Sequence, residues 1–486
     1  MGLLIFFMQI ESSVNIEPYK FGKFWIVENK KWNISRTDVI TIANKIGFGL
    51  YRGSLFRIVG KFIIPATERD FQDVLREYLE DTGIIGYLEI LNSLEAFFQK
   101  NGKFTISRLQ IISDELFLND TQNICYKFFK NVFIQITTSE LNAHTYDQLP
   151  PDKYVLFSKI QQRDFKPSQS GKYLDFLSKA TSWSIYSQNI KTILGYLCHE
   201  YKDETTGYII VLTEQCPDPK DGGGSGKNLF CNLLSHSTTY CSKPGVQSKF
   251  DEKFFQSWNG QRLFGISDVP KNFNFSFLKE PSTGSFILKK LYKDEVEIPV
   301  SDGPKFIVHT NFSYEISDGG LKRRIIPIEF TDFFTKSGGV DAHYSCHFPK
   351  GWHENDWNNF DTIIIESIQT WLKSNRKIQS ASLTETGWEK QFIHSHGKTI
   401  TDFIQENFDN WIKLQEVPST DIRTSLSTFY SENAIDRKYQ HSAQRIASAI
   451  KEWSHHFGFE CQANKQRDIL GINVKCYVFS EISQPT

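Results

Sequence analysis

The apolar positions of this chain change rhythm along its length. Between about residues 20 and 140 short segments alternate. Phe24-Trp25-Ile26-Val27 reads as a strand, Phe71, Val74, Leu75, Tyr78 and Leu79 keep helical spacing, and Val132 to Ile136 reads as another strand. Pro150-Pro151 marks a boundary. Residues 155 to 202 then read as helical, with Leu174, Phe176, Leu177, Ile190, Ile193, Leu194 and Leu197 as core. From 208 to about 330 the apolar runs become continuous: Tyr208–Leu212, Leu263–Ile266, Phe306–Val308 and Ile325–Ile328. Such strands between helical stretches imply a sheet covered on both faces, most simply a parallel one. Further on, Ile400, Phe403, Ile404, Phe408, Trp411 and Ile412 form one helical stripe. Ala443, Ile446, Ala447, Ile450 and Trp453 form a second, which Gly458 can terminate. Phe459 to Phe479 reads as a hairpin, and helices followed by a hairpin suggest a winged-helix-like module.

Composition narrows the class. The 486 residues allow several domains, and 41 Phe favour filled cores over disorder. With 55 Lys+Arg against 56 Asp+Glu there is no bulk basic field, so nucleic acid would be held by local patches. The eight cysteines form no C-x-x-C pair and read as reduced thiols of a cytosol. Met1 to Ile10 is apolar but short and without a basic flank, and reads as a first strand rather than a signal peptide; no run approaches membrane-spanning length. His343, Cys346, His347 and His353 match no familiar zinc spacing and read as a polar loop. The N-terminal region has no paired Asp-x-Asp with a partner acid, so nothing there points to nucleotidyl transfer.

One segment carries the chemistry. After the apolar run Tyr208–Leu212 comes Asp221-Gly222-Gly223-Gly224-Ser225-Gly226-Lys227-Asn228, followed by a helical opening. Strand, glycine-rich loop, lysine and helix is the arrangement that cradles nucleotide phosphates on backbone N–H groups and a helix N-terminus. It departs from the usual pattern at Asp221 and at Asn228, where a hydroxyl would normally bind Mg²⁺; an amide oxygen can also ligate it. Nucleotide binding is expected at Gly222, Gly223, Gly224, Ser225, Gly226, Lys227 and Asn228.

Three later segments supply partners. Arg262-Leu263-Phe264-Gly265-Ile266-Ser267-Asp268 is an apolar strand ending in an acid, expected to hold Mg²⁺ together with Asn228. Lys305-Phe306-Ile307-Val308-His309-Thr310-Asn311 ends in an amide that can orient an attacking water. Lys322-Arg323-Arg324 precedes the strand Ile325–Phe330, where an arginine is placed to reach a neighbouring subunit's γ-phosphate. Between them, Phe286 to Val300 reads as a hairpin with a charged tip. Lys289, Lys290 and Lys293 there would grip a DNA backbone by charge, although edge-strand lysines also serve to discourage aggregation. In the C-terminal module Arg445, Lys451, Lys465, Arg467 and Lys475 are candidates for phosphate contact, each equally readable as a solvated surface charge.

The order P-loop, acid-tipped strand, hairpin, Asn-tipped strand, arginine within residues 221 to 324 resembles superfamily 3 helicases, and most closely the phage and mobile-element primase-helicase family. Asn123 to Asn131 and Trp357-Asn358-Asn359-Phe360-Asp361 look like further segments of that family. The resemblance implies an α/β fold with a P-loop AAA+-type ATPase core and a mainly parallel sheet. On this reading residues 1–150 form an N-terminal α+β domain, 151–205 a helical segment and 206–345 the ATPase core. Residues 346–390 form a helical linker region and 391–486 the winged-helix-like domain. It implies an ATP-dependent helicase with ATP and Mg²⁺ as cofactors, a homo-hexameric ring, and translocation on single-stranded or forked DNA in the cytoplasm of a bacterial host. Lys227 would hold the β- and γ-phosphates, Asp268 the Mg²⁺, and Asn311 would be the sensor. Arg323 or, by preference, Arg324 would be the finger supplied in trans. The family usually has two acids where this chain has Ser267-Asp268, so hydrolysis is the step most affected, and Glu214 just before the loop could compensate. The alternative is a nucleotide-binding initiator, loader or scaffold with weak or no hydrolysis. No primase domain is recognisable, so priming calls for a separate primase or polymerase.

Overall fold

The computed structural model describes residues 22–29, 31–81, 83–215, 223–245, 253–271, 273–290, 294–312, 314, 318–379, 385–436, 440–469 and 472–482. Met1 to Ile10, Asp221, Gly222 and Lys293 lie outside the described residues.

The continuous apolar runs form the centre of the molecule. Ile209–Glu214, Leu263–Ser267, Lys305–His309 and Ile325–Phe330 make one sheet with a fifth strand, Tyr240–Pro244, which is not a continuous apolar run and is an addition to the sequence reading. Every neighbouring pair in it is parallel. The Ile209–Glu214 strand lies between Lys305–His309 and Ile325–Phe330, with Leu263–Ser267 and then Tyr240–Pro244 beyond Lys305–His309. Both faces are dry. Ile210, Leu212 and Ile307 pack with the helices Lys172–Ala180, Trp183–Cys198 and Glu354–Lys373, while Ile209, Val211 and Val308 pack with Phe254, Phe255 and Phe275. Burial on both sides explains why the four apolar strands lack polar alternation, whereas Tyr240–Pro244 at the sheet's margin is only partly buried.

The N-terminal part has two four-stranded mixed sheets and the helices Arg36–Lys45, Glu68–Asp81 and Tyr87–Ile106. Phe71, Leu75, Tyr78 and Leu79 are buried on one face of Glu68–Asp81, as their spacing predicts. The helical reading of 155 to 202 is corrected in its first part. Val155–Leu156 pairs with Phe62–Ile63, and Ile160–Gln161 pairs with Phe128–Phe129, so this stretch completes the N-terminal sheets; apart from a 3-10 turn at Phe157–Lys159, α-helix begins only at Lys172. Two-residue strands leave too few positions to set a periodicity.

The irregular segment 163–171 and the first turn of the helix Lys172–Ala180 are held by one face of the helix Glu354–Lys373. Asn358 Oδ1 accepts from Lys166 N (3.2 Å), Thr362 Oγ1 from Ser168 N (2.9 Å), and Asn359 Oδ1 from Leu174 N (3.1 Å). Arg163 forks onto Asp361 at 2.7 and 2.6 Å and stacks over Trp357 at 4.8 Å. The same helix packs so closely on Trp183–Cys198 that a Cβ on Gly195 would sit 2.0 Å from the Ser367 carbonyl oxygen.

At the C-terminal end, helices Glu385–His396, Lys398–Leu414, Ser419–Glu432 and Ala443–His456 enclose Phe403, Trp411, Leu426, Phe429, Ile450 and Trp453. A three-stranded antiparallel sheet of Glu416–Pro418, Ile472–Glu481 and Phe459–Ile469 closes this core. The helix Ser419–Glu432 and the strand Glu416–Pro418 are additions to the sequence reading, and the helix Glu385–His396 crosses the expected boundary at 390. Among the described residues, no helix is long and apolar enough to cross a membrane, and the seven described cysteines are free thiols.

Candidate functional site

The Ile209–Glu214 strand ends at the edge of the sheet where the glycine-rich loop begins. Gly223, Gly224 and Gly226 have φ of +128°, +73° and +99°, backbone that residues with a Cβ rarely adopt. Gly226 precedes the helix Lys227–Leu234, which is anchored by buried Phe230, Cys231, Leu233 and Leu234. Thr335 Oγ1 donates to the Gly223 carbonyl at 2.7 Å and ties down the loop.

Lys227, Asn311 and Glu214 meet at this edge. The Lys227 ammonium donates to Asn311 Oδ1 at 2.7 Å and forms a close ion pair with Glu214 Oε1. The ladder explains the meeting. Leu212 is paired with His309 across parallel strands, so Glu214 is level with Asn311 one strand away. The Glu214 carboxylate also accepts from Ser225 Oγ at 2.7 Å and from Gly223 N at 3.0 Å. Glu214, Ser225 and Lys227 are all buried. Burial alone would raise the carboxyl's pKa, but the Lys227 charge, the Ser225 hydroxyl and the Gly223 N–H together hold it below the ordinary value.

Asp268 is at the same edge. Ile266 is paired with Val308, which sets Asp268 level with Thr310. Asp268 has φ of +52° and is exposed, a conformation that a short acid tolerates. Its strand lies two places from that of Glu214, about 10 Å at ordinary strand spacing. Ser267, the position where a second acid was expected, is half-buried.

Asn228 is exposed, yet its side chain has a partner on the neighbouring strand. Its Oδ1 is 2.8 Å from His309 Nδ1, and His309 Nε2 is 3.1 Å from Cys231 Sγ. A Cys-His-Asn series can be nucleophilic, but not here. Burial pushes the Cys231 thiol up and holds His309 down at about 4, so both stay neutral. The series instead joins the first turn of the helix Lys227–Leu234 to the strand Lys305–His309. His309 was quoted in the sequence reading but given no role; its signal there is an imidazole directly after the apolar run Phe306–Val308.

The arginines lie at the other end. Arg324 O accepts from Ile209 N at 2.8 Å, so Arg323 and Arg324 flank the first residues of the strands whose last residues carry the loop. A six-residue strand spans about 20 Å, which separates both arginines from Lys227 of their own chain. Arg324 donates to Thr283 Oγ1 (3.0 Å) and the Lys279 carbonyl (3.3 Å), whereas Arg323 is exposed.

Phe286–Leu288 and Val296–Ile298 form the expected hairpin. Lys289 pairs with Glu295 at 2.5 Å, and Lys290 donates to Asn259 Oδ1 at 2.5 Å. Arg445, Lys451, Lys465 and Lys475 are exposed, while Arg467 pairs with Glu416 at 2.5 Å.

Among the described residues, one group of potential metal donors is clustered: Asp120, Cys125 and His199. His199 Nδ1 accepts from Trp371 Nε1 at 3.2 Å, so Nε2 carries the proton and donates to the Thr121 carbonyl at 2.9 Å. The Cys125 thiol donates to Asp120 at 3.1 Å, and burial pushes it well up. The cluster is a hydrogen-bond network rather than a ligand set.

No family model and no curated protein matches the chain. Among solved structures, the apo structure of the NrS-1 C-terminal region (305–718) overlaps with a TM-score of 0.33 at 12% identity, covering 74% of this chain and 97% of the other. The A form apo structure of the NrS-1 C-terminal region gives a TM-score of 0.37 at 14% identity over the same shares.

Proposed function

We propose that this chain is a P-loop ATPase that works as an ATP-dependent DNA helicase in the replication of a phage or mobile genetic element. The observation that carries this reading is the convergence of the Lys227 ammonium and the Asn311 amide at one edge of a parallel sheet, behind a strand–glycine loop–helix. Lys227 would neutralise the β- and γ-phosphates, and the backbone N–H groups of Gly223 to Asn228 would cradle them. Asn311, held at the strand end beside Lys227, would orient the attacking water.

The oxygen donors at this edge, the Asp268 carboxylate and the Asn228 amide, suit Mg²⁺, and His309 fixes the Asn228 amide in the manner of a supporting hydrogen bond. Mg²⁺ held there would neutralise charge on the transferred phosphoryl group. The distance of Arg323 and Arg324 from Lys227 of their own chain supports a trans role, hence an AAA+-type ring, which we take to be a homo-hexamer. Lys289, Lys290 and Lys293 on the hairpin would hold single-stranded DNA. The helices and three-stranded sheet of the C-terminal module support its reading as a winged-helix domain, with Arg445, Lys451, Lys465 and Lys475 toward phosphates.

The test is Lys227→Ala in forked-duplex unwinding and single-strand-stimulated ATP hydrolysis. Both should fall by at least about 100-fold with the fold intact; undiminished unwinding would sink the reading. The half-buried Ser267, in place of an acid, favours a second reading as a nucleotide-binding initiator or loader. ATP hydrolysis indifferent to added single-stranded DNA would select it.

A further inference from the structure

The donors of the phosphate loop converge on a side chain of the same protein. Glu214 Oε1 takes the Ser225 hydroxyl at 2.7 Å and the Lys227 ammonium, and Oε2 takes the Gly223 N–H at 3.0 Å. Backbone amide, hydroxyl and ammonium are the groups a P-loop offers to a phosphate. A carboxylate, like a phosphate edge, presents two anionic oxygens to them.

We propose that Glu214 is the resident anion of this loop: it competes with nucleotide phosphates for the loop's donors and thereby sets nucleotide affinity. This rests on the nucleotide-binding reading of the same site and deepens it.

The backbone around Glu214 is fixed. The residue is paired with Phe330 on one side, Gln215 N donates to the Phe330 carbonyl at 2.8 Å, and Thr310 N donates to the Leu212 carbonyl at 3.0 Å on the other. Release of the loop is therefore a rotation of the Glu214 side chain, not a movement of its strand. Two anions cannot share these donors at contact distance, since both oxygens of Glu214 are already engaged by them and a triphosphate adds like charge beside it. Asn311 is the counterpart. Its Oδ1 also accepts from Lys227, at 2.7 Å, and so gives the ammonium a neutral partner when the carboxylate leaves.

A residue that holds the competent loop in a minor population weakens apparent affinity by that fraction. The experiment measures binding of ATP with Mg²⁺, and of inorganic tripolyphosphate, to the full chain by calorimetry. The chains are wild type, Glu214→Gln, Glu214→Asp and Lys227→Ala. Glu214→Gln removes the charge at constant size, and apparent Kd should fall about tenfold or more for both ligands. Glu214→Asp keeps the charge but withdraws it by one methylene, so it cannot span the same donors; affinity should rise here too. It serves as the readout should the Gln variant fold poorly. Binding by the Gln variant alone, with none by wild type, also supports the proposal. If wild type binds, Lys227→Ala does not, and both Glu214 variants bind no tighter than wild type, the resident-anion role is overturned while the nucleotide site stands. If no chain binds either ligand, both readings are overturned together.

Discussion

At the scale of single residues, most ionisable groups buried in this protein cap or staple backbone rather than act on a ligand. Lys305 donates to the carbonyls of Tyr196 (2.6 Å) and His199, at the C-terminal end of the Trp183–Cys198 helix, where a positive group meets the negative end of the dipole. Lys202 donates to the carbonyls of Pro281 (3.2 Å) and Pro304 (2.7 Å). Burial, with the nearby Arg262 charge, holds both ammonium groups down at about 7. The unfolded chain keeps an ordinary lysine and so binds more protons than the folded one between pH 7 and the usual lysine range. Stability must therefore rise with pH in that window and lose this gain as pH falls to 7. Urea unfolding at pH 7 and pH 9 should show a rise of about 1–2 kcal/mol per lysine, and Lys305→Met should flatten the slope. A wild-type slope that Lys305→Met leaves unchanged would contradict this. The Arg163–Asp361 fork makes a second residue-scale case. Asp361 is 3% exposed, so Asp361→Ala leaves a partly buried guanidinium unpaired. The expected cost is about 3–5 kcal/mol in chemical denaturation.

At the scale of elements, the segment Trp357 to Asp361, noted in the sequence only as family-like, has a structural job in this chain. Its polar residues face the segment 163–171 and the helix start that follows it and satisfy their backbone, so its work lies in joining elements. Nothing in the string itself reveals this, because the partner backbone lies almost two hundred positions earlier. Asn359 bonds both Leu174 N and the Ser168 carbonyl, at 3.1 and 3.2 Å. Asn359→Ala should lower stability by about 2–3 kcal/mol without touching nucleotide binding. The helix–helix contact beside it depends on Gly195, which has no room for a Cβ against the Ser367 carbonyl. Gly195→Ala should cost about 1–3 kcal/mol, read as a lower thermal midpoint. Four strands of the central sheet and the long amphipathic helices were legible because burial on one or two faces writes a pattern into the sequence, whereas the partly buried Tyr240–Pro244 was not. The helix Ser419–Glu432 was overlooked although Ile422, Leu426, Phe429 and Tyr430 carry the period. The short strands at Val155 and Ile160 carry none.

At the scale of the whole molecule, the central sheet separates two ends. Lys227, Asn311, Glu214 and Asp268 lie where strands finish, and Arg323 and Arg324 where they begin. Under the proposed function a single chain lacks an arginine at its own nucleotide, so hydrolysis should depend on assembly. ATP turnover per chain should rise with protein concentration in step with oligomer mass measured by light scattering. Full turnover by a chain that scatters as a monomer would defeat the trans assignment.

The amino-acid sequence by itself determined four of the five strands of the central sheet, the glycine loop, the hairpin and the helical stripes, because each depends on local backbone preference or on which face of one element is dry. Only the tertiary structure decided which polar groups meet. It set Glu214 on the loop's donors, tied Asn228 to His309, made the Trp357–Asp361 string a staple and sent the arginines to the far end of the sheet. The partner of a polar side chain is fixed by distance through space, and for residues on different strands that distance is set by sheet order and register, which no single element encodes.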